Sequence, residues 1–173
     1  LYLLFTNNHK RFDLNLTLSA SMYYPKIFSK THRDSKRHNV VLLGIGGNQP
    51  QTPKAFRNLI RVLYTNPNIS HIESSSLLEN PAFGFIHQPS FINATLFLHT
   101  AYTLTELYAL VFYLERRFGR PRKRAFKNAP RIIDIDIIFF NTLILKRGYL
   151  TIPHPHWQNR ESACIPMSFM KFH

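Results

Sequence analysis

One cysteine, Cys164, stands among 173 residues, so neither an internal disulfide nor a multi-cysteine metal cluster can form within the chain. A reducing compartment, the cytoplasm, is therefore the expected location. Acidic residues are scarce too. Nine Asp plus Glu against 22 Lys plus Arg give a net charge of +13 and a pI near 10.2, an excess that points to an anionic partner or substrate. No apolar run approaches the roughly 18 residues of a bilayer-spanning helix; even Ile132 to Phe140 is broken by Asp134 and Asp136. No membrane partner is expected. The opening Leu1 to Phe5 has no basic residues ahead of it and is shorter than the ~7–15 residues of a signal-peptide core, so secretion is not expected either. No Gly-x-x-x-x-Gly-Lys-Ser/Thr occurs, which excludes a P-loop. Gly44-Ile45-Gly46-Gly47 has the wrong spacing for a dinucleotide fingerprint.

What is present is enough to fold. Hydrophobic residues make up 45% of the chain and aromatics 14%, which suits one domain with a sizeable core and argues against a disordered basic tail. Residues 1–39 form a basic N-terminal extension with seven basic and two acidic residues. Within it Phe12 to Ser21 alternates like one strand, and Ser29 to Asn39 reads as a linker. The compact domain spans 40–173.

Val40 to Ile45 reads as an apolar strand running into Gly46-Gly47-Asn48, a turn whose glycines can take positive φ or admit another backbone. Thr52-Pro53 begins a helix, Thr52 as N-cap, with Phe56, Leu59, Ile60 and Leu63 on one face; it ends before Asn66-Pro67. Ile69 to Glu79 is expected as a strand and Asn80 to Pro89 as a loop. Phe91 to Thr100 alternates strictly, the pattern of a half-buried strand. Thr103-x-x-Glu106 has capping-box spacing, and a helical repeat of Leu104, Leu107, Val111, Leu114 and Phe118 runs to a stop at Gly119. A basic loop leads to a strand over Arg131 to Phe140, then a hairpin near Asn141, a strand to about Lys146 and a Pro/His-rich segment from Ile152. This β-α-β-β-α-β order predicts an α+β fold, a ferredoxin-like three-layer sandwich with a mainly antiparallel sheet flanked by helices.

Asp134 and Asp136 sit inside one of the most apolar stretches of the chain. At i and i+2 of a strand both carboxylates face one way about 7 Å apart, near enough to hold one divalent cation or bridge two. A polar outer face is the bland alternative, but it fits poorly with Ile132 and Ile138 on the same side, and buried uncompensated charge is disfavoured. Just upstream, Arg116 to Arg131 carries eight basic residues (Arg116, Arg117, Arg120, Arg122, Lys123, Arg124, Lys127 and Arg131) and no acid. Cations beside a dicarboxylate suit a metal-bound polyphosphate: the carboxylates hold Mg²⁺ and guanidinium forks hold the remaining oxygens. The basic stretch taken alone equally suits a solvated loop or RNA. A small basic RNA-binding ferredoxin-like domain, stacking bases on Phe91 and Phe97, is therefore the alternative reading. The aspartates argue against it, since they would repel nucleic acid unless a metal intervened. Phe91 and Asn93, on one strand face, offer a ring for stacking and an amide for hydrogen bonding, with core packing of Phe91 as the plain alternative. His154-Pro-His156 says little alone.

Taken in order, Gly46-Gly47-Asn48, Gln88-Pro-Ser-Phe-Ile-Asn93, Glu115 through Gly119-Arg120-Pro-Arg122, Pro130-Arg131-Ile-Ile-Asp134-Ile-Asp136, and Ile152-Pro-His154 with Arg160 and Pro166 resemble the 6-hydroxymethyl-7,8-dihydropterin pyrophosphokinase family over about residues 40–167. The resemblance implies transfer of a diphosphate from ATP to a pterin alcohol with release of AMP. It implies Asp134 and Asp136 as ligands of two Mg²⁺ ions, and Arg120 and Arg131 as stabilisers of charge on the moving diphosphate. Glu115, Arg122, Ile137, Thr151, His154 and Arg160 would bind ATP. Phe91 and Asn93, with Asn80, Pro81 and Phe83, would bind the pterin. Asp136 is the nearest candidate to assist deprotonation of the pterin hydroxyl. Loops at Gly119 to Ala129 and Asn80 to Pro89 would close over substrate. Partners are expected to be small molecules only, and the chain a monomer. Three departures stand out. Lys127-Asn128-Ala129 replaces the usual Trp-Gly before Pro-Arg. Ser162 stands where a second stacking aromatic is usual, with Phe126 and Trp157 as nearby substitutes, and Asn80-Pro81 replaces Thr-Pro.

Overall fold

The computed structural model describes residues 28–29, 38–82, 87–120 and 129–170. Five strands lie side by side in the order β1 (Phe28–Ser29), β3 (Ile69–Ser74), β5 (Phe91–Thr100), β2 (Asn39–Gly47) and β6 (Asp134–Phe140), each neighbouring pair antiparallel. β4 (Leu78–Asn80) pairs with the start of β5. Helices α1 (Thr52–Thr65) and α2 (Leu104–Arg117) cover one face of the sheet and α3 (Glu161–Ser168) covers part of the other. This is the expected α+β sandwich with an antiparallel sheet.

The helix-covered face holds the larger core. Ala94, Leu96 and Leu98 of β5 and Val41, Leu43 and Ile45 of β2 meet Phe56, Leu59 and Leu63 of α1 and Leu107, Val111 and Leu114 of α2. The opposite face carries a second, smaller core, in which Leu42, Phe97, Ile138 and Phe139 pack on Ala163, Met167 and Met170. β5 is accordingly buried on both sides rather than half-buried. Its odd-numbered positions include polar residues, Asn93 and Thr95, that conceal the second face in the sequence.

Several boundaries differ from expectation for local reasons. The stretch from Ile69 to Glu79 is two strands: Ser75 breaks it by donating its N–H to the Thr95 carbonyl and accepting the Thr95 N–H on Oγ, each at 2.9 Å. The cap of α1 is Gln51 and not Thr52. The Thr52 hydroxyl instead donates to the Ile132 carbonyl at 2.8 Å and accepts the Gln49 N–H at 3.1 Å. β6 starts at Asp134 and not Arg131, because the Arg131 backbone is already paired with Asn48 and the Ile132 carbonyl with Thr52. The strand after Asn141 does not fold back on β6; β7 (Leu145–Arg147) and β8 (Leu150–Ile152) form their own two-stranded sheet. α2 follows its sequence closely: both arms of the Thr103/Glu106 capping box are made, and Gly119 takes φ +95° just beyond the C-cap. Phe12 to Ser21 and most of Ser29 to Asn39 lie outside the described residues.

Gly47 is where three segments meet. A Cβ there would collide with the Ile132 carbonyl oxygen and come within 2.7 Å of Thr52 Oγ1. Since the nearer obstacle is backbone, the strain of overpacking should reach the upper end of ~1–3 kcal/mol. Gly47→Ala is expected to lower Tm by about 6–12 °C in a circular-dichroism melt. Gly148→Ala, whose Cβ would meet nothing within 4 Å, should leave Tm within about 2 °C.

Candidate active site

On the α3 side, the register sets Asn93, Gly46 and Asp134 in one row across β5, β2 and β6, and Thr95, Gly44 and Asp136 in the next. The middle strand thus contributes glycine twice to this face. The result is a trough with no side chain at its centre, flanked by an amide on one side and two carboxylates on the other. A Cβ on Gly46 would lie 2.6 Å from Asn93 Oδ1, so this glycine makes room for the Asn93 amide, which donates to Asn80 Oδ1. α3 covers only part of the face and leaves a cavity of about 910 Å³ over the trough. Asn80, Pro81 and Phe91 line it, as do His154, Trp157, Arg160 and Ser162. The His154 N–H, donated to the Ile138 carbonyl at 3.0 Å, ties its segment to β6.

Charge is concentrated along β6. Asp134 pairs with Arg120 at 2.7 Å and Arg131 at 2.9 Å, while Arg160 lies 3.6 Å from Asp136. Arg120 also pairs with Glu115, a residue of α2 that is only 3% exposed. The Glu115 carboxylate accepts the Ile135 N–H at 2.8 Å, so it lies behind β6 on the helix side and not on the cavity wall. Burial pushes the Asp136 carboxyl above its ordinary range, and the neighbouring Asp134 charge adds to the rise against His154, Arg160 and Arg131. Burial lowers His154, with Asp136 opposing. Arg131 holds its guanidinium 5.2 Å from the centroid of the Phe91 ring. Its Nε and Nη1 are buried and find no hydrogen-bond partner among the described residues, a cost of ~1–3 kcal/mol for each such group that an anionic oxygen would remove.

The carboxylate pair fits a hard divalent cation. Both candidate donors are oxygens on one face, and a cation there would favour the ionised Asp136 carboxylate that burial, with the Asp134 charge behind it, disfavours. Among the described residues no three His, Cys, Asp or Glu side chains form a metal site of their own. A cation here would therefore complete its shell with water and ligand oxygens, as Mg²⁺ does with phosphates.

Of the residues singled out from sequence, Asn80, Pro81, Phe91, Asn93, Arg131, Asp134, Asp136, His154 and Arg160 line this one cavity, and Arg120 reaches its edge through Asp134. Ile137 is buried in the core under the helices. Thr151 lies on β8 and, like Ile137, is not on the cavity wall. Phe83, Arg122 and Phe126 lie outside the described residues, as do most of the loop from Gly119 to Ala129 and residues 83–86 of the loop from Asn80 to Pro89. Of the two possible substitutes for a second aromatic, Trp157 lines the cavity beside Ser162, its ring edge-on to Phe139 at 4.8 Å. Sequence reasoning missed Gly44 and Thr52 as residues that shape the site. For Gly44 a signal exists, since glycines at i and i+2 of a strand strip one face.

The chain matches the family model described as 7,8-dihydro-6-hydroxymethylpterin-pyrophosphokinase over residues 42–171. It is similar to the 2-amino-4-hydroxy-6-hydroxymethyldihydropteridine pyrophosphokinase of Helicobacter pylori, 44% identical over 88% of this chain and 91% of the relative. The enzyme of the same name from Campylobacter jejuni is 32% identical over 87% of this chain and 92% of the relative. That from Bacillus subtilis is 25% identical over 76% and 77%.

A native carboxyl that holds its proton more tightly than the unfolded chain costs stability when ionised. The cost is absent below the ordinary value of 3.8 and full above the raised native one. In chelator, Asp136→Asn should therefore melt higher than the parent protein at pH 7, with the difference shrinking as pH falls toward 3.8. An equal or lower Tm at pH 7 would contradict the electrostatic assignment.

Proposed function

The chain belongs to the 7,8-dihydro-6-hydroxymethylpterin-pyrophosphokinase family, enzymes of folate synthesis, and we propose that it transfers diphosphate from ATP to 6-hydroxymethyl-7,8-dihydropterin, releasing AMP. The observation that carries this reading is the trough itself: two carboxylates flanked by Arg120, Arg131 and Arg160, facing a ring and an amide across bare backbone.

A flat pterin stacks on Phe91 and hydrogen-bonds the Asn93 amide, with Asn80, Pro81 and Phe83 completing that end and Trp157 supplying the second aromatic surface. His154, Arg160 and Arg122 bind ATP; Ile137 and Thr151 complete the nucleotide set on the family correspondence alone. Glu115 acts from behind β6 by holding Arg120 toward Asp134. Asp134 and Asp136 would hold two Mg²⁺ ions, which would supply neutralisation of the phosphate charge. Arg131, whose Nε and Nη1 await an acceptor, and Arg120 take the charge that develops on the transferred group. The pterin oxygen forms its bond to Pβ as the Pβ–O bond to Pα breaks, and AMP leaves with those electrons. Asp136 is the nearest candidate to assist removal of the hydroxyl proton. Alignment and charge neutralisation supply most of the rate, without a covalent intermediate.

We take the protein to be a cytoplasmic monomer that serves small molecules. Among the described residues no helix is long and apolar enough to cross a membrane. The RNA-binding alternative has no comparison in its favour, and two cations it would use, Arg120 and Arg131, are engaged by Asp134.

Purified protein should release AMP from ATP only when Mg²⁺ and the hydroxymethyl pterin are both present, with the diphosphate recovered on the pterin. Asp136→Asn and Arg131→Ala should each lower kcat by ~10²–10³-fold with an unchanged circular-dichroism spectrum. Undiminished turnover in Asp136→Asn would remove the central assignment.

A further inference from the structure

Asn48 follows the double glycine at the end of β2 and is 5% exposed. It is not itself a lining residue, yet its bonds reach Arg131, which is, and the segment that leads into Phe91, which also is. Its backbone N–H donates to the Arg131 carbonyl at 2.9 Å, and its Oδ1 accepts the Arg131 N–H at 2.9 Å. With its Nδ2 it donates to Gln88 Oε1 at 2.8 Å and the Pro89 carbonyl at 3.2 Å. One buried amide therefore clamps the backbone of Arg131, at the end of the basic stretch, to the segment that leads into Phe91.

We propose that Asn48 is a positioning residue that sets Arg131 against the Phe91 wall, so that the phosphate and pterin ends of the cavity are held in one register; this rests on the function proposed above. Three observations support it. Residues 129–133 form no sheet ladder of their own, so the Arg131 backbone depends on Asn48 for its alignment. The Arg131 guanidinium sits over Phe91, so a shift between the two segments changes the gap that a flat ring must enter. Asparagine also has the chemistry such a clamp requires, because its amide accepts on one side and donates on the other, which aspartate, leucine or alanine cannot do.

The two arms can be cut separately. Gln88→Leu removes the side-chain acceptor near Phe91 and leaves both bonds to Arg131, and should raise KM for the pterin about tenfold with kcat within threefold. Gln88→Glu keeps an acceptor and should restore the parental KM. Asn48→Ala removes both side-chain arms and should raise the pterin KM similarly and lower kcat by ~30-fold. In an Arg131→Ala background Asn48→Ala should cost nothing further in kcat, because its effect on chemistry runs through that arginine. If Asn48→Ala does not fold, Asn48→Asp keeps the acceptor for the Arg131 N–H and should raise KM while sparing kcat. A fall in Tm with unchanged KM and kcat, or a kcat loss of the same size in the Arg131→Ala background, would overturn the proposal and leave Asn48 a purely structural clip. Failure of the unaltered protein to turn over ATP with the pterin would instead overturn the proposed function.

Discussion

Two like charges one strand repeat apart repel, and Asp134 and Asp136 share one face of β6 with cations set against both. The cations come from three separate segments. Arg120 follows the left-handed turn at Gly119, Arg131 precedes the first residue of β6, and Arg160 precedes α3. Each is therefore brought in by a different device: a helix stop, a backbone clamp and the wall that His154 anchors to β6. The pairing is lopsided. Asp134 holds two arginines at hydrogen-bond distance and Asp136 one at longer range. Burial, with the Asp134 charge behind it, pushes the Asp136 carboxyl up.

The cavity owes its existence to what is left off the sheet. Gly44 and Gly46 strip β2 on the α3 side, and α3 is short enough to seal only the part of that face bearing Leu42, Phe97 and Phe139. The opposite face, packed by two longer helices, carries the larger core. The sandwich thus divides its labour: one face holds the fold together, and the other is partly closed by a small core and partly open to ligand.

Much of this was legible in the chain. The 3.6-residue repeat and capping box of α2, and the alternation of β5, mark those elements to the residue, because local propensity and packing agree there. The carboxylates of β6 stand out because charge inside an apolar run needs a reason. What could not be read were features set by distant backbone. Thr52 has the sequence of a cap, but its hydroxyl is claimed by Ile132, 80 positions away. β6 loses its first three expected residues to Asn48 and Thr52. The burial of β5 on both faces required knowing that the segment after Arg160 returns as a helix, and its sequence, with Pro166 inside and no clear apolar stripe, gives little warning of that. Glu115 shows the same limit within the site, because nothing local tells that its carboxylate turns toward an edge amide instead of the cavity.

That turn matters beyond catalysis. Among the described residues β6 is the last strand of the sheet, and an uncovered last strand offers its free amides to any extended peptide that drifts past. By taking the Ile135 N–H for itself, Glu115 blunts this outer margin with a buried negative charge. The carboxylate that pairs with Arg120 therefore also occupies an amide on the outer margin of the sheet.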